Sequence, residues 1–253
     1  MKKIIYGIIA VAVILVVAGV YCNTNTGMII SSLAKKGDIS SGQMVYAIQL
    51  FGFIPAGEAV FDVEKQEDLF GVKVYHMSAT AETAKALAAF FSARVKLDSF
   101  VDRAQLNPLA FTQVLSIKGK AESIKKALYD QRGGTMTTEK GTRAIPPDTQ
   151  DPLSTMLHFK RMDFDNVKDF DINFNNNQRN YAIKGSVRLE DSLRRGQERK
   201  IAFVKAQIGR RDKNPYHRSS VEIVFLRKKE NIPILIKVFA SGVFINARLK
   251  DIR

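Results

Sequence analysis

Two carboxylates, a hydroxyl and an imidazole fall within one short stretch, AIPPDTQDPLSTMLHF, residues 144–159. Asp148 and Asp151 are candidates for a paired acid and base, as in glycoside hydrolysis, with His158 near them. A structural reading accounts for the same residues without catalysis. Asp151 is a favoured helix N-cap, Pro152 suits the first helical position, and Leu153, Met156 and Leu157 follow at i, i+3 and i+4. Pro146 and Pro147 keep the approach extended, because a residue before proline is pushed out of the helical region. His158 then lies about two turns beyond the cap. The sequence has no GxSxG element, and its one cysteine, Cys22, leaves no intrachain disulfide and no cysteine-based metal site. His76, His158 and His217 lie far apart and form no ligand-spaced pair. Capping is therefore the preferred reading. Gln150, Asp151, Pro152 and Leu153 are expected to mark a helix start, with no catalytic, cofactor-binding or metal residues.

The elements around this stretch read as strands. In ARVKLDSFVD, Val95, Leu97 and Val101 alternate with Arg94, Lys96 and Asp98. The same period of two runs through Ala59, Phe61 and Val63, through Tyr181, Ile183, Val187 and Leu189, and through Val243, Ile245, Ala247 and Leu249. Period two in four separate segments predicts half-buried antiparallel strands with one face on a core and one in water. Further runs, separated by RGG, RRDKNP, KKEN and SG turns, bring the number to about a dozen. The fold class predicted is mainly β, an antiparallel barrel, half-barrel or curved sheet with two short helices. The first helix is expected in TAKALAAFF, residues 83–91, with Ala84, Leu87, Ala88 and Phe91 on one face. The second is the capped stretch.

The amino terminus is a further element. After Met-Lys-Lys, residues 4–21 (IIYGIIAVAVILVVAGVY) carry no charge. At about 1.5 Å per residue such a helix spans roughly 27 Å, close to the hydrocarbon thickness of a bilayer. Residues 1–21 are read as a transmembrane signal anchor, 22–42 as a polar tether and 43–253 as the periplasmic β domain. Lys2 and Lys3 place the amino terminus in the cytoplasm and the body outside it, across the inner membrane. Cleavage near Gly19, which would release the chain to the periplasm, is an alternative, and lipidation at Cys22 a weaker one because Tyr21 precedes it. With 39 Lys and Arg against 25 Asp and Glu the net charge is +14, which favours anionic partners. The extracytoplasmic reading and the lack of regularly interleaved aromatics argue against nucleic acid. Arg194, Arg195, Arg210, Arg211 and Lys213 are candidates for contact with phospholipid or lipopolysaccharide phosphates, against the plainer reading of solvated turns.

Five segments together resemble a known family. They are YAIQLFGFIPAGEAVFDV, VYHMSATAETAKALAAFFSARVKLDSFVD, LNPLAFTQ, IPPDTQDPLSTML and NIPILIKVFASGVFINARL, in that order over about residues 43–252. The chain is similar here to the bacterial family called domain of unknown function 3108, with Ile-Pro-Ala-Gly at 54–57 and Gln-Asp-Pro-Leu-Ser at 150–154 the most specific pieces. The resemblance implies an exported or envelope-anchored β-rich protein of Gram-negative bacteria, and brings no activity, cofactor or catalytic residue. The function expected is non-enzymatic binding or transfer of a lipid-like ligand in the cell envelope. A structural or assembly factor that binds another envelope protein is the alternative, and an envelope hydrolase a distant third.

Overall fold

The structure is a computed structural model that describes residues 42–69, 71–176, 178–194, 197–211, 219–240 and 242–253. The anchor expected over 1–21, and all of the tether but Gly42, lie outside the described residues. Among the described residues no helix is long and apolar enough to cross a membrane.

Fourteen antiparallel strands form one sheet. The first half of the chain supplies β1 (Met44–Leu50), β2 (Ile54–Leu69), β3 (Val72–Thr83), β4 (Ala93–Asp102), β5 (Pro108–Ile117), β6 (Ser123–Asp130), β7 (Thr135–Thr138) and β8 (Gly141–Ala144). The second half supplies β9 (Asp169–Asn176), β10 (Arg179–Arg194), β11 (Gln197–Arg210), β12 (Ser219–Leu226), β13 (Ile232–Ala240) and β14 (Val243–Ile252). Each strand pairs with its neighbours in sequence, with two exceptions. The terminal strands β1 and β14 pair in the middle of the sheet, where Gln43 and Arg253 exchange backbone hydrogen bonds at 2.9 Å. The sheet's two edges, β8 and β9, are consecutive in the chain but do not pair.

Alternation decides which face is buried. Val95, Leu97 and Val101 of β4 point into the core while Arg94 and Lys96 face water, as their spacing predicts. Tyr46, Phe61, Met77, Ile236 and Leu249 bring other strands to the same core. Leu189 departs from expectation and is exposed. The β10–β11 pair, 16 and 14 residues long, runs on past the core.

The sheet curls until β8 and β9 face each other across a seam. From Ala144 the chain turns inward, and Gln150 forms a parallel bridge with Phe174 of β9, donating from its N–H to Asn173 O and accepting from Asn175 N–H, both at 2.8 Å. Side-chain amides close the rest: Asn180 Nδ2 donates to Ala144 O at 3.0 Å, Asn173 Nδ2 to Pro147 O at 2.7 Å and Gln178 Nε2 to Thr138 Oγ1 at 2.7 Å.

The helix that follows, Pro152–Arg161, packs on β3, β4 and β9 with seven of its ten residues buried. Phe159 meets Phe170 edge-on at 5.3 Å and lies near Phe225. At its carboxyl end Asn231 donates from its backbone to Lys160 O at 2.9 Å and from Nδ2 to Met162 O at 2.8 Å, and Glu230 pairs with Lys160 Nζ at 3.2 Å. Strands of a meander alternate in direction, so this helix leads to the rim that carries the β4–β5, β6–β7 and β12–β13 turns, the helix rim. The β1–β2, β3–β4, β5–β6, β7–β8 and β13–β14 turns lie at the opposite, far rim.

The helix expected over 83–91 is a single turn, Lys85–Ala88, with no side-chain cap and no buried residue. In chain order it is α1, and Pro152–Arg161 is α2. Strand β3 runs on to Thr83, consuming the expected helix start, and nothing covers Phe90, which is 91% exposed.

Gly57 of the Ile-Pro-Ala-Gly element pairs with Thr83, and a Cβ there would sit 2.1 Å from Glu82 O. The obstacle is backbone, so it cannot rotate away. Gly57→Ala is expected to lower stability by about 2 kcal/mol, the scale of overpacking, read as a lower urea midpoint at unchanged slope.

Candidate functional site

The expected helix start is present and buried. Asp151, fully enclosed, accepts from Leu153 N–H and Ser154 N–H at 2.8 Å, and Ser154 Oγ accepts from Asp151 N–H at 2.8 Å, a capping box with serine at its third position. Ser99 Oγ of β4 donates to Asp151 Oδ2 at 2.6 Å. Pro152 holds the first helical position and Leu153 is core. Gln150 donates from Nε2 to Asn107 Oδ1 at 2.7 Å, and Asn107 Nδ2 donates to Asp148 Oδ1 at 2.8 Å. Asp148 and Asp151 thus engage different partners, and Asp151 has no opening to solvent. His158 is half-buried, and that burial lowers its pKa, with Asp148 opposing the shift.

The basic candidates separate. Arg194 pairs with Gln197 at one end of β11 and Arg210 stands at the other. At about 3.3 Å per residue, the 14 residues of β11 put them roughly 45 Å apart, at opposite rims. They do not form one patch, because a hairpin brings together the strands but not the two ends of one strand. Arg195 and Lys213 lie outside the described residues, as does the placement of the Arg194 side chain. Arg227, another cation of the basic stretch, is occupied at the helix rim by Asp165 and by Asp191 at 3.4 Å.

Arg210 and Arg211 line a hollow of about 390 Å³ beside the seam, together with Arg143 of β8, Arg179 and Asn180 of β10, and Gln178. Asp171 faces Arg211 at 3.5 Å. Gln178 also belongs to a second cleft of about 370 Å³ between β5–β7 and the end of β9. Its apolar lining comes from Phe111, Ala127 and Met136, and its polar lining includes Lys125, Lys140 and Asn175. Gln113 lines it too, almost fully buried, and its amide Nε2 has no hydrogen-bond partner. Partial burial, with the Lys140 ammonium beside it, holds Lys125 below the ordinary lysine range. Tyr129, also in the lining, is pushed up by burial and by Asp151. The arrangement is an apolar pocket with one unmet donor and a wall on which Lys125, Lys126 and Lys140 outnumber Glu139, suited to an anion that carries an apolar chain.

Spacing in sequence did not reveal these residues, because the seam joins strands from both halves of the chain. One signal was present: Gln113 is a polar residue on the inward parity of β5, two places beyond Phe111. A separate grouping stands on the outer wall. His76 lies between Glu67 at 3.0 Å and Asp98 at 3.2 Å and stacks on Phe100. Among the described residues, no three His, Cys, Asp or Glu side chains cluster as metal ligands.

A curled antiparallel sheet with an internal helix defines a barrel-like β protein. The chain belongs to the family described as "Protein of unknown function (DUF3108)", which matches residues 45–244. No curated protein matches it. A similar solved structure is the crystal structure of a beta-barrel-like protein of domain of unknown function DUF1849 from Brucella abortus. It is 13% identical, the match covers 84% of this chain and 98% of that one, and the TM-score is 0.57. That likeness is one of fold.

Burial pushes the Asp151 carboxyl up from 3.8 to about 6, against the hydrogen bonds from Ser99, Ser154 and Leu153. Between these values the folded chain holds a proton that the unfolded chain releases. The resulting stability is fully present below pH 3.8 and is lost as pH rises through about 6. Asp151→Asn keeps a cap acceptor and removes the titration. It is expected to flatten the urea midpoint across this window and to gain on the order of 2 kcal/mol at neutral pH. Asp151→Ala orphans buried donors and is expected to cost about 3 kcal/mol.

Proposed function

We propose that the protein is a non-enzymatic binding protein of the cell envelope whose far-rim cleft holds a lipid-like anionic amphiphile. The observation that carries this reading is the buried, unpartnered amide of Gln113 beside an apolar floor and a cationic wall. An orphaned buried donor costs about 1–3 kcal/mol, which a ligand oxygen would recover. The floor of Phe111, Ala127 and Met136 suits a hydrocarbon chain, at about 0.8 kcal/mol per buried CH₂. The head group lies toward Lys125 and Lys140, or crosses Gln178 into the hollow of Arg143, Arg179 and Arg210. The cleft volume of about 370 Å³ falls within the ~300–1,000 Å³ of small-molecule sites. The charge-free run at 4–21, with Lys2 and Lys3 before it, supports a single inner-membrane span with the β domain in the periplasm.

Extraction of the full chain from membranes, washing in detergent and mass spectrometry of the bound lipid tests this reading. The expected result is one anionic amphiphile per chain. Gln113→Leu combined with Lys125→Glu and Arg179→Glu should lose at least tenfold of it, about 1.4 kcal/mol. Arg188→Glu, on the outer wall, should retain it. An equal lipid complement in the triple variant and the unaltered chain would sink the proposal.

A further inference from the structure

Phenylalanines are concentrated at the far rim in a way the core does not require. Phe51 and Phe53, 48% and 73% exposed, sit in the β1–β2 turn, and Phe90 in the adjacent β3–β4 turn is 91% exposed. The rings of Phe239 and Phe244, on β13 and β14, lie tilted at 37° with centroids 4.5 Å apart, and Phe51 N–H donates to Phe244 O at 2.8 Å. Three neighbouring turns of the sheet thus carry phenylalanines in one arc, two of them joined by the Phe51–Phe244 backbone hydrogen bond. Phe51 is held at φ 51°, a left-handed conformation that bulky side chains rarely adopt. Cations flank the arc. Lys118 and Lys120 lie on one side, with Lys118 N–H donating to Ser92 O at 2.9 Å.

We infer that this rim docks on an anionic lipid surface, with Phe51, Phe53 and Phe90 inserted among the acyl chains and the flanking cations on the head groups. Exposed rings at turn tips bury apolar area in the interface, and flanking lysines and arginines add attraction to anionic lipid. A protein partner would meet the same rings with complementary acidic side chains; exposed rings on neighbouring turns with lysines beside them fit a deformable anionic plane better. The inference does not depend on what fills the cleft.

The sequence contains no tryptophan, so each substitution gives a single reporter. The full chains of Phe53→Trp, Phe90→Trp and Leu128→Trp are reconstituted into vesicles of phosphatidylethanolamine and phosphatidylglycerol with brominated acyl chains. Leu128 is exposed on the outer wall near the helix-rim end of β6, away from the far rim. Emission from Phe53→Trp and Phe90→Trp is expected to shift to the blue and lose most of its intensity, while that of Leu128→Trp is unchanged. Adding Lys118→Glu and Lys120→Glu should reverse most of the loss, and adding Gln113→Leu should leave it intact. No quenching at either rim position, equal quenching at Leu128→Trp, or a shift that follows protein concentration instead of lipid would overturn the inference.

Discussion

An open sheet must do something with the backbone groups on its two edges, and here that constraint organises the molecule. Unpaired edge groups invite pairing with other chains, and buried ones cost about 1–3 kcal/mol each. β8 and β9 are brought together by curling, yet they cannot zip into a ladder, because the segment that connects them passes between. Gln150 supplies a substitute, bridging to β9 in parallel while Gln178, Asn173 and Asn180 cap exposed carbonyls and hydroxyls across the gap. Side-chain amides are longer than a ladder hydrogen bond and hold the edges apart. The space they leave is where Gln178 lines both the cleft and the arginine hollow.

The same crossing puts α2 inside. Its first turn begins at mid-barrel, beside Ser99, and its last meets Asn231 at the helix rim. A helix start at that depth needs its free N–H groups satisfied without water, and an aspartate is the residue that accepts several at once. Desolvation penalises the charge, which is why the carboxyl is pushed up to about 6 despite the hydrogen bonds it accepts from Ser99, Leu153 and Ser154. Capping and burial therefore oppose each other at one residue. With α2 filling the helix-rim half of the interior, the open volume falls at the far rim.

How much of this was legible follows from how local each cause is. The cap at Asp151 and Pro152 depends on neighbours within four positions, so type and spacing suffice. Alternation in β4 reflects a face shared along one strand and was equally readable. β8 was not: Gly-Thr-Arg-Ala has no alternation, every residue is exposed, and it is a strand only because β7 offers an edge. The TAKALAAFF run has helical propensity, but β3 pairing through Thr83 outweighs it and leaves one turn. The basic residues looked like one cluster because a hairpin is compact in sequence and long in space. Arg143 and Arg179, more than thirty positions apart, meet Arg210 and Arg211 only through the curl of the sheet, which no local pattern encodes.

Two chemistries converge at the far rim. The cleft combines apolar lining with Lys125 and Lys140, and the neighbouring turns combine exposed phenylalanines with Lys118 and Lys120. Moving an apolar chain through water costs about 0.8 kcal/mol for every CH₂ exposed, so a lipid carrier gains most when its pocket opens where it meets the bilayer. On the proposed readings a ligand passes between cleft and lipid surface along one rim, its charged head handed between cations while its chain stays among aromatic and apolar side chains. The helix rim offers no such path, because α2 fills its interior. The asymmetry between the rims thus follows from the seam, since the segment that seals the sheet also decides which end is filled.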